Sequence, residues 1–313
     1  VSEPRFSVVI PAYNAAATIA GTLRSVFAQS EADFELIVVD DGSADETPDL
    51  VRGFADDRRL RLIEQENQGT AGARNTGIDV ARGRYVSFLD NDDFYMPLYL
   101  QRIGAALDSA PEAGFAYADG WLVDEPSRRV RRLTSLQTLG APVAPPRDPE
   151  GLLLSLVERV FIRSATTMRR TVLEEVGGFD PDVSGVDDFD LWARILQAGH
   201  GAVQAPGMLL VYRDRPDSLS KQGQRMADAV ATVTGRIADA PGASPELRAA
   251  ALKRKAYAER MSDSISGTDR ARAAKLRVRL VLGRAYRALT ARRRFLDAPP
   301  AELVEALGDP AEF

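Results

Sequence analysis

Two acidic clusters, Asp40-Asp41-Gly42-Ser43 and Asp90-Asn91-Asp92-Asp93, stand about fifty residues apart, and each follows a short apolar run. The runs are Phe34-Glu35-Leu36-Ile37-Val38-Val39 and Tyr85-Val86-Ser87-Phe88-Leu89. Their length and their β-branched and aromatic content read as buried parallel strands. Both clusters then fall at the carboxyl ends of strands, where open α/β sheets bind ligands. Carboxylates gathered there suit either a divalent cation or N–H and O–H donors. In Asp90-Asn91-Asp92 the hard oxygens suit Mg2+ or Mn2+ shared with a diphosphate. A D-x-D is common by chance, so its place after a strand is what gives it weight.

Other residues join these. Tyr13, in Pro11-Ala12-Tyr13-Asn14, offers a flat face on which a nucleobase can stack. Asp41 can accept a ring N–H. Plain packing of Tyr13 and turn capping by Asp41 are equally good readings. The segment from Gln68 to Asn75 opens a helix whose free N–H groups, with Arg74, can face a phosphate or a base; a solvated helix start is the alternative. No G-x-G-x-x-G is present, which argues against a dinucleotide site. Asp187-Asp188-Phe189-Asp190 begins an amphipathic helix with Leu191, Ile195 and Leu196 toward the core. These acids either answer the helix dipole, or one of them takes a proton from an incoming hydroxyl. His200 reads as a turn residue, and Trp192 more as core than as a ligand platform.

A framework must position these groups. Residues 6–10, 34–39, 60–64 and 84–89 read as strands. Helical spacing over 15–29, a helix after Asp45 and another over 71–81 alternate with them. The rhythm predicts a doubly wound parallel sheet with helices on both faces. Beyond Asp93 a helix is expected over 97–107, a strand over 113–118, a loop or flap over 124–149, a helix over 186–196 and a last strand over 208–212. From about residue 221 the chain should be helical to its end, broken near Pro241-Gly242, Gly267 and Pro299-Pro300. This divides the chain into 1–220, with a nucleotide-binding half to about 95 and an acceptor half from 96, and a helical region 221–313.

Composition narrows the chemistry. The 313 residues include no cysteine and one histidine, so thiolate metal sites, a cysteine nucleophile and a histidine triad are excluded or disfavoured. A general base must come from Asp, Glu, Lys or Tyr. No apolar stretch approaches the roughly 20 residues of a membrane span, and Val1-Ser2-Glu3-Pro4-Arg5 lacks the parts of a signal peptide. The expected location is cytoplasmic, or peripheral at the inner face of a membrane. Net charge is −5, yet fifteen Lys and Arg stand against three acids between Arg248 and Arg294. That basic stretch suggests contact with anionic lipid, or a plain solvated helical cap. It lacks interleaved aromatics, so nucleic acid is not expected as a partner.

Taken in order, FSVVIPAYN, LIVVDDGSADET, NQGTAGARNTG, ARGRYVSFLDNDD, VGGFD and VDDFDLWARI resemble glycosyltransferase family 2 over residues 6 to about 220. The joint order is specific where no single motif is. The resemblance implies a GT-A fold (Rossmann-like, a mostly parallel sheet flanked by helices), here with a C-terminal helical extension. It implies an inverting, metal-dependent transfer from a nucleotide-diphosphate sugar, with Mn2+ or Mg2+, to a carbohydrate or glycolipid acceptor. Pro11, Ala12, Tyr13 and Asp41 match positions that hold the base, and Arg74 one near the nucleotide. Asp90 and Asn91 match positions near the ribose and metal, Asp92 the main metal ligand, and Asp188 the catalytic base. Asp187 stands where a Glu is commoner. Arg215 replaces a frequent histidine of the closing loop and can pair with the diphosphate; Asp187, Trp192 and Arg215 are thus candidate diphosphate or acceptor contacts. UDP or dTDP is favoured as the nucleotide. The rival readings are a polyprenyl-phosphate sugar synthase at the membrane surface and a non-catalytic nucleotide-sugar sensor.

Overall fold

The structure, a computed structural model, describes residues 3–215, 223–266 and 295–307. Its first half follows the predicted rhythm. Strands β1 (Phe6–Ala12), β2 (Phe34–Asp40), β3 (Leu60–Glu64) and β4 (Tyr85–Phe88) run parallel, with β1 between β2 and β4. The chain therefore winds outward from β1 to β3 and returns to β4 on the other side of β1. Ligands bind outside the strand ends at such a reversal. Every residue of β1 and β2 is buried, because both faces of the sheet are covered. Alternate residues feed opposite cores: Val9, Ile37 and Val39 one, and Val8, Ile10, Leu36 and Val38 the other.

The helices of this half are α1 (Ile19–Phe27), α2 (Thr47–Arg52) and α3 (Gly69–Val80). The first begins later than its periodicity suggests. Residues ahead of it are held by the loop after β2: the Ala15 N–H donates to Thr47 Oγ1 at 2.7 Å and the Ala16 N–H to Asp45 Oδ2 at 3.0 Å. Asn14 adopts φ 48°, a left-handed conformation that Asn tolerates better than most residues.

The second half is a mixed continuation. After β5 (Phe94–Tyr95) and α4 (Tyr99–Ser109) come β6 (Ala113–Asp124), β7 (Arg129–Val130), α5 (Ser135–Leu139), α6 (Pro149–Glu158), β8 (Thr167–Arg169), α7 (Arg170–Val176), α8 (Asp187–Gln197) and β9 (Gly201–Asp214). The sheet order is β3-β2-β1-β4-β8-β6-β9-β5, with β7 paired to β6. Here β8 is antiparallel to both neighbours, whereas β6 and β9 are parallel. The strands expected over 113–118 and 208–212 are longer, since each supplies the other's ladder out to Asp124 and Asp214. The expected loop over 124–149 instead holds β7 and α5. Its helix is started by a capping box, Thr134 with Gln137, a signature that was legible in the sequence.

Helices α9 (Gly223–Asp239) and α10 (Pro245–Ser266) flank the predicted break at Pro241-Gly242. Val233, Ile237, Leu247 and Ala251 belong to the same apolar cluster as Leu156 of α6 and Leu191 of α8. The helical region thus shares a core with the sheet. The chain is not helical to the end, however. Phe295 forms an antiparallel bridge with Arg131, and only then follows α11 (Ala301–Leu307), whose Leu303 packs with Val123 and Val130. The domain boundary near 220, the closing-loop residues 216–220, the break at Gly267 and most of the basic stretch lie outside the described residues.

Candidate functional site

A crevice of about 980 Å³ opens at the carboxyl ends of β1, β2 and β4. Into it the fold brings Pro11, Ala12, Tyr13, Asp41, Arg74, Asp90, Asn91, Asp92, Asp187, Asp188 and Arg215, which a span of two hundred residues separates in the chain. The exception among the expected residues is Trp192. It is fully buried and stacked on Phe115, because α8 turns this side chain toward the sheet. It offers no contact to a diphosphate or an acceptor, and that expectation is corrected.

One end of the crevice is built by β1 and β2. Tyr13 is 52% exposed, so its ring face is open to a planar ligand. Asp41 is buried and fixed by three donors: Gln65 Nε2 and the Gln68 N–H to Oδ1, and the Gly69 N–H to Oδ2, each at 2.8 Å. It therefore holds the start of α3, and both sequence readings of it meet in one place. A carboxylate has about four acceptor positions, so one remains for a ring N–H. Gly42, with φ 79°, lets the chain turn directly after this acid, where an added Cβ would lie 3.2 Å from the Asn67 backbone nitrogen. Asn91 ties the β4 end to β1, its Nδ2 donating to the Pro11 carbonyl at 2.9 Å.

Beneath lies a buried ion-pair network. Arg74 is 4% exposed, donates to Asp187 and to Asp90 at 2.7 Å each, and lies 5.1 Å over the Phe179 ring. Burial alone would lower its pKa, but Asp187, Asp90 and Asp188 more than offset this and the net shift is upward. The neighbouring Asn75 makes two 2.8 Å hydrogen bonds with the Phe179 backbone. The Gly-Gly-Phe-Asp turn thus serves as a clamp on α3.

Both oxygens of Asp90 already accept a bond, Oδ1 from Arg74 and Oδ2 from Ser164 Oγ at 2.6 Å. Asp92 is different. Among the described residues its nearest cation is Arg215, at 3.8 Å between Nε and Oδ2. Burial, reinforced by the charge of Asp90, raises its pKa to about 6. Arg213 braces the same turn, its N–H donating to buried Asp93 at 3.0 Å and its Nε to the Asp92 carbonyl. Among the described residues no three acidic or histidine side chains gather as a cation cage. One carboxylate completed by substrate phosphates and water is nevertheless the usual protein share of a Mg2+ site. A desolvated Asp92 beside Asp90 fits such an ion.

At the opposite wall three acids occupy the first turn of α8. Asp187 is taken by Arg74. Asp190 is taken by Arg194 and Arg236, at 2.8 and 3.1 Å. Asp188 accepts from its own neighbour, the Phe189 N–H, at 2.7 Å. Burial, then the adjacent Asp187 charge, raises it to about 7 despite Arg74. A carboxylate with that value is poised to take a proton near neutral pH. His200 lies apart, bonded to Glu175 at 2.8 Å, as a turn residue should be.

Sequence reasoning missed four contributors. Ser164 and Arg213 hold the D-x-D turn, and Arg163 and Arg254 line the crevice. Ser164 and Arg163 carry no local mark, while Arg254 stood out only as part of the basic stretch and Arg213 only as a neighbour of Arg215, because each acts across long chain separations.

The profile of glycosyl transferase family 2 matches residues 7–177, more than half of the chain. The succinoglycan biosynthesis protein ExoO of Rhizobium meliloti is 33% identical over 220 residues, covering 70% of this chain and 63% of that protein. WfgD of Escherichia coli, a UDP-Glc:alpha-D-GlcNAc-diphosphoundecaprenol beta-1,3-glucosyltransferase, is 43% identical over 90 residues, covering 29% of this chain and 36% of WfgD. The matches thus span less than two thirds of either relative. Among solved structures, S. aureus TarS 1-349 in complex with UDP-GlcNAc has a TM-score of 0.63 at 19% identity, covering 85% of this chain and 74% of TarS 1-349. The mannosyltransferase PcManGT from Pyrobaculum calidifontis, in complex with GDP-Man and Mn2+, has 0.62 at 22% identity, covering 93% and 84%. At these identities the structural likeness concerns the fold.

Proposed function

Because the chain belongs to glycosyl transferase family 2, we propose that its crevice transfers a sugar from a nucleotide-diphosphate sugar to an acceptor hydroxyl, with inversion at the anomeric carbon. The observation that carries this reading is the separation of roles among the acids. Asp41, Asp90 and Asp187 are bound to donors of the fold, which leaves Asp92 and Asp188, two desolvated carboxylates, turned to the crevice.

The nucleobase stacks on Tyr13 with a ring N–H toward Asp41, an arrangement that suits UDP or dTDP. Arg215 and Arg163 border the diphosphate. A divalent cation held by Asp92, Mn2+ or Mg2+, would supply countercharge as the nucleoside diphosphate leaves. Asp188 accepts the proton of the acceptor hydroxyl as that oxygen attacks from the face opposite the leaving group. Burial and the neighbouring Asp187 raise this base, while Arg74, paired with Asp187, pulls it the other way. The acceptor is a carbohydrate or glycolipid of envelope polysaccharide assembly, in keeping with the names of ExoO and WfgD. Among the described residues no helix is long and apolar enough to cross a membrane.

A thermal-shift screen of nucleoside diphosphates with and without Mn2+ tests this reading. A ligand at a hundred times its Kd stabilises by about 2.7 kcal/mol. UDP or dTDP should raise Tm most, and Asp92→Asn should lose the part that depends on Mn2+. If no nucleoside diphosphate moves Tm, the reading is wrong.

A further inference from the structure

Helix α8 carries Asp188 in its first turn, so whatever fixes that turn fixes the base. Toward the sheet the helix is held by packing, with Phe189, Leu191, Trp192 and Ile195 in the core. Its flank toward α9 is held differently. A hollow of about 540 Å³ lies there, bounded by the Gly177-Gly178-Phe179-Asp180 turn, α8 and α9. The groups that join its walls are charged.

Arg236 of α9 is the centre of that join. Its Nη1 donates to Asp180 Oδ2 at 2.6 Å and to Asp190 Oδ1 at 3.1 Å. The other oxygen of Asp190 accepts from Arg194 Nε at 2.8 Å, and Arg194 donates in turn to the Val176 and Gly178 carbonyls at 2.7 and 2.6 Å. The Arg236 side chain is 44% exposed, and ion pairs of such exposed groups add little stability. What it supplies is geometry, because one nitrogen ties the extension to α8 and to the turn at once.

The turn leads back to the acids. Phe179, next to Asp180, is bonded through its backbone to Asn75 and lies under Arg74, which pairs with Asp187. The first turn of α8 thus has two anchors: Asp187 is held from α3 by Arg74, and Asp190 from α9 by Arg236. Asp188 stands between them. Among the described residues its carboxylate accepts only from the Phe189 N–H. Its place is therefore inherited from its anchored neighbours.

We propose that Arg236 is a positioning residue for the transfer: by tying α9 to Asp190 and to the turn at Asp180, it fixes where Asp188 stands in the crevice. The proposal rests on the reading of Asp188 as the base. It gives the helical extension a part in the reaction through a residue that touches no substrate.

The test is Arg236→Ala in the full chain, with three readouts: release of nucleoside diphosphate from the preferred nucleotide-sugar, nucleotide affinity, and backbone hydrogen exchange over the opening turns of α8. Turnover should fall by at least about tenfold, within the roughly 10²-fold that a misplacement of about 1 Å can cost. Nucleotide affinity should stay as it was, since Tyr13 and Asp41 are held by β1, β2 and α3. Exchange in α8 should quicken. Arg236→Lys should keep part of the turnover, because it retains the charge without the planar fork. The hollow also leaves room for a free guanidinium ion where the side chain is cut back. Guanidinium chloride, far below denaturing concentrations, should restore part of the variant's turnover and slow its exchange, while leaving wild type unchanged. A variant that was only less stable would lose more activity instead, because the same salt is a denaturant. Wild-type turnover in Arg236→Ala, unchanged exchange in α8, or a loss that guanidinium deepens would each overturn the proposal. If wild type itself releases no nucleoside diphosphate, the glycosyl-transfer reading fails, and exchange with its reversal by guanidinium still decides whether Arg236 holds α8.

Discussion

At the scale of single residues, the site is an exercise in dividing charge. Carboxylates and guanidiniums stand close together in the crevice, and the fold decides their roles by hydrogen bonding some and leaving others, among them Asp41, Arg74, Asp90, Asp92, Asp93, Asp187, Asp188, Arg213 and Arg215. Arg74 is the hinge of this arrangement, because two acids depend on it. Replacing Arg74 with Met should destabilise the protein by about 3–5 kcal/mol in urea denaturation, since Asp90 and Asp187 would be left without their cation. A cost below about 1 kcal/mol would mean the network is solvated and weak.

Asp188 gives a prediction with a definite sign. Its folded pKa of about 7 exceeds the ordinary 3.8. Between those values the folded state keeps a proton that the unfolded state gives up, so this group's contribution to stability falls as pH rises toward about 7. Asp188→Asn removes that loss. The Tm of the variant should match wild type near about pH 4 and exceed it near about pH 8. A gap in Tm that is constant across this range would show that the carboxyl is not held neutral.

At the scale of elements, the strand ends do most of the work. β1 delivers Tyr13, β2 delivers Asp41, β4 delivers the D-x-D turn and β9 returns with Arg213 and Arg215. Asp41 also joins β2 to the first turn of α3. Asp41→Ala should cost about 1–2 kcal/mol of stability, the usual range for losing a helix-capping side chain, as well as nucleotide affinity. An effect on affinity with no change in the urea midpoint would show that Asp41 serves the ligand alone.

This scale is also where the sequence was most and least readable. The parallel strands were legible because burial on both faces leaves continuous apolar runs, and α8 because its apolar spacing repeats helically. The antiparallel partner β8 was hidden, since three residues carry too little pattern to separate from the apolar stretch around them. β7 and the bridge at Phe295 were hidden for another reason: both are short pairings set by tertiary contact, not by local propensity. Within the site, motif positions at strand ends were readable, whereas Ser164, Arg163 and Arg254 act across long separations and left no local signal. Trp192 was read more as core than as a ligand platform, and its burial on the sheet side of α8 agrees, whereas its nearness to the acids in sequence says nothing of which face it occupies.

At the scale of the whole molecule, one crevice connects the ends of the parallel strands to a helical extension that shares the sheet's core. One end is built by β1, β2 and α3, the middle by the turn after β4, and the far wall by α9 and α10; on the proposed reading the first two hold the donor and its cation. The C-terminal segment at Phe295 pairs with Arg131, which in turn is ion-paired with Asp214 next to Arg215. The rim of the crevice is thus fastened from several parts of the chain at once. The central claim is that a single group, Asp188, takes the proton as sugar moves. The most direct measurement compares wild type with Asp188→Asn for release of nucleoside diphosphate from the preferred nucleotide-sugar, alongside nucleotide affinity. Turnover should fall by about 10²–10⁴ with affinity unchanged, whereas a variant that turns over at the wild-type rate would contradict the account.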